Sequence, residues 1–290
     1  MVNLSLCITG QCNLQCKYCF SDKKKGLSDI DLIKLNEFLY YLSKREEINN
    51  VFITGGEPLL YYNFYELIES ISKLSSNIYL LTNGVLLSEY VMNLLDHYKV
   101  KVHISLDSCN SNYHEFVRGN QKETIENIKK IQVYENIETT ICVTLSYLNV
   151  NEIRYIEQFA KKYGCKTDYN LLCLDNDYDL SWDNSDPIHK AQLIENLTDW
   201  AENNKKQTKL LLMNYILNNS KYSIKRCLYS RNNIVLFSNG DSYPCFVNRA
   251  DYFGNIYYNP FESIMQLYNI YNNKTCPKDC FQMECTGVFL

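Results

Sequence analysis

The sequence predicts an α/β protein: a partial (β/α)6 barrel followed by a small cysteine-rich β-hairpin segment. Two patterns carry this expectation. Strand-length apolar segments recur at about 2–9, 50–54, 77–82, 101–107, 138–146 and 167–174, and helix-like stretches follow each of the first five. Strands alternating with helices pair in parallel through right-handed crossovers, which gives either an open doubly wound sheet or a partial barrel. Alternation within the strands favours the barrel. Val2, Leu4, Leu6 and Ile8 share one face of the first strand, and Asn3, Ser5, Cys7 and Thr9 share the other. The fourth strand sets Val102, Ile104 and Leu106 against His103, Ser105 and Asp107, and the fifth sets Ile141, Val143 and Leu145 against Thr140, Cys142, Thr144 and Ser146. Parallel strands covered on both sides are usually apolar on both faces. One polar face fits a lumen that holds a polar ligand.

In the first helix Leu32, Leu35, Phe38, Leu39 and Leu42 fall on one stripe, with Ser28 or Asp29 as candidate N-cap. Asn149 with Glu152 reads as a capping box before the fifth helix. Residues 1–185 make up the barrel, 186–222 a helical bridge and 223–290 the C-terminal segment. There Ile234 to Ser238, Asn239-Gly240 and Asp241 to Val247 read as a hairpin on a tight Asn-Gly turn.

A net charge of −4 without a long basic run argues against a nucleic-acid partner, and Lys23-Lys24-Lys25 reads as a solvated loop. No apolar run reaches ~18 residues and no signal peptide opens the chain, so the reading is a soluble cytoplasmic protein with no membrane partner. Without an export signal, the thirteen cysteines point to metal rather than disulfides. Eight are grouped: Cys12, Cys16 and Cys19, then Cys227, Cys245, Cys276, Cys280 and Cys285. Cys7, Cys109, Cys142, Cys165 and Cys173 are scattered and read as small buried side chains.

Cys12, Cys16 and Cys19 form a C-x3-C-x2-C run directly after the first strand, so three thiolates can converge on a soft metal centre. Three ligands suit a 4Fe–4S cluster that keeps one iron open for chemistry. A structural zinc site wants four ligands, and a zinc loop with a distant fourth ligand is the alternative.

With Tyr18 before its last cysteine, this run resembles the cysteine motif of the radical S-adenosylmethionine (radical SAM) enzymes. Gly55-Gly56-Glu57-Pro58 after the second strand resembles that family's GGEP turn. Thr82-Asn83-Gly84 and Ser105-Leu106-Asp107 end the third and fourth strands in the family's order. The resemblance spans about residues 1–175 and implies a partial TIM-like barrel with its cofactors at the C-terminal ends of the strands. It implies that Cys12, Cys16 and Cys19 ligate the cluster, and that SAM cleavage at the open iron releases a 5′-deoxyadenosyl radical. It further implies a Tyr18 backbone near adenine, Gly55 and Gly56 as places of close backbone approach, and Glu57 with the turn's carbonyls on the methionine ammonium. Ser105 and Arg118 match positions that contact the SAM carboxylate. Asn83 is either a ribose neighbour or a turn former, Asp107 could position SAM or substrate, and His103 reads as a satisfied core histidine.

Cys227 and Cys245, spaced C-x12-G-x4-C about Gly240, resemble the opening of the SPASM and Twitch extensions, which bind auxiliary 4Fe–4S clusters. The tail spacing of Cys276, Cys280 and Cys285 departs from the full pattern, so one auxiliary cluster is expected, with two of those three completing its ligands; a zinc knuckle is the alternative. The resemblance implies a flavodoxin- or ferredoxin-type electron donor and, first, a peptide substrate. The cluster motif begins at residue 12, leaving no room ahead of it for a leader-binding domain, so that task would fall to a separate leader-binding protein. A small-molecule dehydrogenase or epimerase is the second reading, and a non-catalytic iron–sulfur sensor the third. Cys142 and Cys109 are candidate hydrogen donors for an epimerase.

Overall fold

The computed structural model describes residues 1–19, 28–172, 180, 182, 185–218, 232–246 and 251–271. All six expected strand–helix units are present: β1 Val2–Cys7, α1 Leu32–Ser43, β2 Ile48–Thr54, α2 Phe64–Ser72, β3 Asn77–Thr82, α3 Glu89–His97, β4 Lys101–Ser105, α4 Ser111–Val117, α5 Gln121–Ile131, β5 Thr139–Leu145, α6 Ile153–Tyr163 and β6 Lys166–Leu171. These six strands are parallel neighbours in chain order. The bridge is two helices, α7 Pro187–Asn203 and α8 Gln207–Asn218, and β7 Asn233–Leu236, β8 Asp241–Tyr243, β9 Gly254–Asn255 and α9 Phe261–Tyr271 follow. No described helix is long and apolar enough to cross a membrane.

The two strand faces divide as the alternation requires. Leu4, Leu6, Val51, Ile53, Leu80, Val102, Ile104, Ile141 and Val143 lie under the helices and are almost wholly buried. Each such side chain contributes about 1.5–3 kcal/mol. The polar positions face the other way. Parallel pairing also puts every loop that follows a strand at one end of the sheet, so the Cys12–Cys19 loop, the Gly55–Pro58 turn, Asn83 and Asp107 gather there.

The hairpin does not stand apart from the barrel. β7 pairs in parallel with β1, Asn3 opposite Asn233 and Leu6 opposite Leu236, and the nine-stranded order is β6-β5-β4-β3-β2-β1-β7-β8-β9. Ile234 and Leu236 enter the barrel's core, so apolar burial holds the joint.

Two expected helix caps are corrected. Asp31 caps α1, accepting from Ile33 N and Lys34 N, because Asp29 is drawn away to Thr9 Oγ1 at 2.6 Å and Gln11 Nε2 at 3.2 Å. Asn149 makes no capping bond to its helix; a 3-10 turn, Val150–Glu152, intervenes. Its amide instead donates to the carbonyls of Asp107 at 2.8 Å and Thr144 at 3.0 Å, tying β4 to β5.

Candidate active site

The cysteine loop is stapled at its base. Thr9 and Asp29 form an antiparallel bridge, Gly10 N donates to Ser28 O at 3.1 Å, and Ile30 N donates to Ile8 O at 2.8 Å. Within the loop Cys19 N closes a turn on Cys16 O at 3.2 Å. Cys12, Cys16 and Cys19 are all half-buried. Burial pushes the Cys12 thiol up, and the charges of Glu57, Cys16 and Cys19 push it further, so both other sulfurs lie within electrostatic reach of Cys12. Among the described residues no three metal-binding side chains are grouped closely enough for a single ion. Three half-buried thiols on one short loop, set wider than a single ion allows, fit a polynuclear cluster, which is larger than one ion.

Gly55 and Gly56 allow a close approach, but to the chain itself. Gly56 N donates to Thr9 O at 2.8 Å and Glu57 N to Gln11 O at 2.7 Å. Gly55 has φ +144°, and a Cβ there would meet Thr9 O at 2.5 Å. A Cβ on Gly56 would drive into the Gln11 carbonyl. The turn is the shelf on which the cysteine loop starts, and Pro58 opens the 3-10 turn Pro58–Leu60 behind it.

Glu57 is buried and accepts from Thr82 Oγ1 at 2.7 Å, Asn83 N at 2.9 Å and Leu59 N at 3.2 Å. Burial raises its pKa to about 7 even though those three donors favour the carboxylate. Its side chain thus locks β2 to β3, while its charge reaches Cys12. Asn83 Nδ2 donates to Asn13 Oδ1 in the cysteine loop at 2.8 Å, and its Oδ1 accepts from Val85 N at 3.0 Å. It is both a turn former and a loop anchor.

Asp107 sits at the centre of the other anchor. It is fully buried, accepts from Tyr18 Oη, from Arg118 Nε at 2.6 Å and from Thr144 N at 2.7 Å. Burial holds the Tyr18 hydroxyl well above the usual tyrosine range. Burial works against the Arg118 charge, but Asp107, Tyr18 and Cys16 outweigh it and raise the guanidinium's pKa. Arg118 is therefore in a buried ion pair and not on the surface. Ser105, half-buried at the end of β4, is in register with Cys142 on β5, and Cys142 with Asp168 on β6.

Burial pushes the Cys142 thiol far up, with Asp168 adding to the effect, and raises Cys109 to about 11; neither is a ready thiolate. Cys109 also packs on the main core. His103 differs from the expected satisfied histidine. Its Nδ1 is buried without a hydrogen-bond partner, and burial lowers its pKa to about 4. The neutral ring meets Tyr79 edge-on at 5.5 Å, and Tyr79 stacks on Phe52 at 4.6 Å, an aromatic floor to the lumen.

A buried pair escaped the sequence reading. Lys209 of α8 donates to Asp168 Oδ1 at 2.8 Å and Asn170 Oδ1 at 3.2 Å on β6. Asp168 was visible as a charge on the polar face of a strand; nothing distinguished Lys209 from its neighbours Lys205 and Lys206.

Cys245 lies two residues past β8. Asn233 Nδ2 donates to Pro244 O at 3.0 Å, so this cysteine is level with the start of β1. Cys12 follows the other end of that strand, about 17 Å away at 3.3 Å per residue. Cys227, Cys276, Cys280 and Cys285 lie outside the described residues, as do Cys173 and Lys23-Lys24-Lys25.

A sequence profile of the radical SAM superfamily matches residues 6–160. The antilisterial bacteriocin subtilosin biosynthesis protein AlbA of Bacillus subtilis (strain 168) is 26% identical over 266 residues, covering 89% of this chain and 58% of AlbA. GTP 3′,8-cyclase of Alkaliphilus metalliredigens is 32% identical over 156 residues, 52% of this chain and 46% of the cyclase. The chain thus spans about half the length of these two relatives. Streptococcus suis SuiB bound to S-adenosylmethionine shares the fold, with a TM-score of 0.72 at 17% identity over 94% of this chain and 68% of SuiB. The profile match takes in more than half of the chain, from the end of β1 into α6, with the three loop cysteines, the Gly-Gly-Glu-Pro turn and Arg118 inside it: the chain belongs to the radical SAM superfamily.

Proposed function

We propose that the chain is a peptide maturase, which takes a hydrogen atom from a peptide substrate to begin crosslinking, epimerisation or oxidation. The superfamily's cofactors are a 4Fe–4S cluster and SAM. When bound, they supply an electron to the sulfonium and a 5′-deoxyadenosyl radical for the abstraction. The observation that carries the reading is the gathering of the cysteine loop, the Gly55–Pro58 turn, Asn83 and the Asp107–Arg118 pair at one end of the sheet. Cys12, Cys16 and Cys19 would hold the cluster. The Gly55–Glu57 backbone, Ser105 and Arg118 would hold SAM beside it, with Tyr18 lining the adenine side.

The substrate class is supported by AlbA, named for the biosynthesis of a bacteriocin, and by SuiB bound to its precursor peptide SuiA, a neighbour with TM-score 0.71 at 19% identity. Cys227 and Cys245, with two of Cys276, Cys280 and Cys285, would bind one auxiliary cluster. It would accept the substrate electron, while a flavodoxin or ferredoxin in the cytoplasm would feed the N-terminal cluster. A small-molecule substrate is the second reading, favoured by the GTP 3′,8-cyclase similarity.

The test is anaerobic reconstitution with iron and sulfide, followed by assay of 5′-deoxyadenosine. Cys12→Ala, Cys16→Ala and Cys19→Ala should each abolish it; full yield from any one of them sinks the assignment. Incubation with precursor peptides encoded beside the gene should then yield a mass change. A mass change on a nucleotide or sugar instead would favour the second reading.

A further inference from the structure

Asp107 accepts at least four hydrogen bonds from three separate chain segments. Oδ2 takes Arg118 Nε at 2.6 Å and the Tyr18 hydroxyl; Oδ1 takes Thr144 N at 2.7 Å and Arg118 Nη2 at 3.4 Å. A carboxylate has about four lone-pair sites, and these bonds fill them. Its backbone is fixed as well, through His114 Nδ1 at 3.3 Å and Asn149 Nδ2 at 2.8 Å. Such a buried ion pair often adds no stability over apolar packing, so its presence points to a role beyond folding.

The guanidinium that Asp107 grips has one nitrogen turned elsewhere. With Nε and Nη2 on Asp107, and Nη2 also 3.3 Å from Thr144 Oγ1, Nη1 stands 4.0 Å from Cys16 Sγ. The Tyr18 ring covers the guanidinium face at 5.1 Å.

Taking Cys16 as a cluster ligand, as in the function proposed above, we propose that Arg118, positioned by Asp107, is a fixed positive charge beside one cluster thiolate that favours the cluster's reduced state. Hydrogen bonds to cluster sulfurs and nearby charge set the potentials of such centres. Reduction adds one negative charge to the cluster and changes no bond in the protein. A guanidinium at this distance stabilises that charge. Arg118 is then more than a SAM contact: its effect is present before SAM binds.

The test is a redox titration of the SAM-free, reconstituted holoprotein, monitored by electron paramagnetic resonance. The N-terminal signal is identified by its change on later addition of SAM. In Arg118→Gln the ratio of reduced to oxidised N-terminal cluster, at a fixed solution potential, should fall at least about tenfold, since one unit charge near 4 Å is worth between roughly fivefold in bulk water and roughly a thousandfold near a protein surface. Arg118→Lys keeps the charge and should stay within about threefold of wild type. Because Arg118→Gln strands Asp107, the double variant D107N/R118Q, an amide pair that keeps a partner for Tyr18, guards against misfolding; its ratio should also fall, by less. Wild-type ratios in Arg118→Gln or in the double variant, with wild-type iron content, overturn the inference. If the wild-type protein loads a cluster and cleaves SAM while the ratio is unmoved, only this inference is lost. If the wild-type protein does not cleave SAM, the functional reading itself fails.

Discussion

Gly56 and Gln11 are in backbone contact: the space a Cβ on Gly56 would need is filled by the Gln11 carbonyl, which at the same time accepts from Glu57 N at 2.7 Å. A glycine that the motif resemblance assigns to ligand approach is required first by the protein's own loop.

Gly56→Ala should therefore displace the start of the cysteine loop. We expect reconstituted iron to fall at least severalfold while far-UV circular dichroism stays at wild type, since the added Cβ overlaps the Gln11 carbonyl and forcing extra volume into a packed site costs about 1–3 kcal/mol. Gly164→Ala is the control. Gly164 caps α6 at φ +67°, and a methyl added there would meet no atom within 4 Å, so stability drops slightly and iron content does not. Equal iron in both variants would refute the shelf.

Glu57 gives a pH signature. Its folded pKa, about 7, is above the ordinary 4.5, so the folded state retains a proton that the unfolded state releases. Its contribution to stability is full below pH 4.5 and declines as pH rises to about 7, by a total of about 3 kcal/mol. Urea unfolding of the cluster-free protein should show the stability gap between wild type and Glu57→Gln narrowing from about pH 5 to 7. A constant gap would place the ionisation elsewhere. Glu57→Gln should also be about 1–3 kcal/mol less stable at about pH 5, because an amide nitrogen in place of Oε2 would face Asn83 N–H.

Lys209→Met should destabilise the chain by about 3–5 kcal/mol, since it leaves Asp168 buried without its cation. The double variant D168N/K209M should recover most of that loss. Chemical denaturation measures both, and a wild-type midpoint for Lys209→Met would mean that the pair is dispensable.

Cys227→Ala with Cys245→Ala should remove about four irons and leave substrate-free SAM cleavage intact. The N-terminal cysteine loop is stapled through Thr9, Asp29 and Gly56, by bonds made within the barrel. Substrate turnover should collapse. Wild-type iron content in this variant would remove both residues from the ligand set.

The barrel was legible because each strand carries its answer locally: an apolar face for the helices and a polar one for the lumen. The loop motifs were legible as residues but not as bonds. Nothing in Gly-Gly-Glu-Pro says that Glu57 turns towards Thr82 and Asn83, or that Asp107 collects Tyr18 and Arg118. The cap misreadings have one cause. Asp29 and Asn149 have the chemistry of caps, but tertiary partners, Thr9 with Gln11 and Asp107 with Thr144, compete for their side chains and win. The union of β7 with β1 leaves no local pattern at all, because a strand's sequence does not name a partner so far along the chain.

That union sets an order of events for the nascent chain. β1 leaves the ribosome well before its second neighbour, which follows 230 residues later. Pairings this distant form late, and an uncovered strand edge invites the wrong partner in the meantime. Synthesis at roughly 5–20 residues per second leaves β1 with one open flank for at least about ten seconds. The strand that leads into the cysteine loop is thus the last of the barrel strands to be closed on both sides, and iron delivery before that point would meet a site still missing one wall.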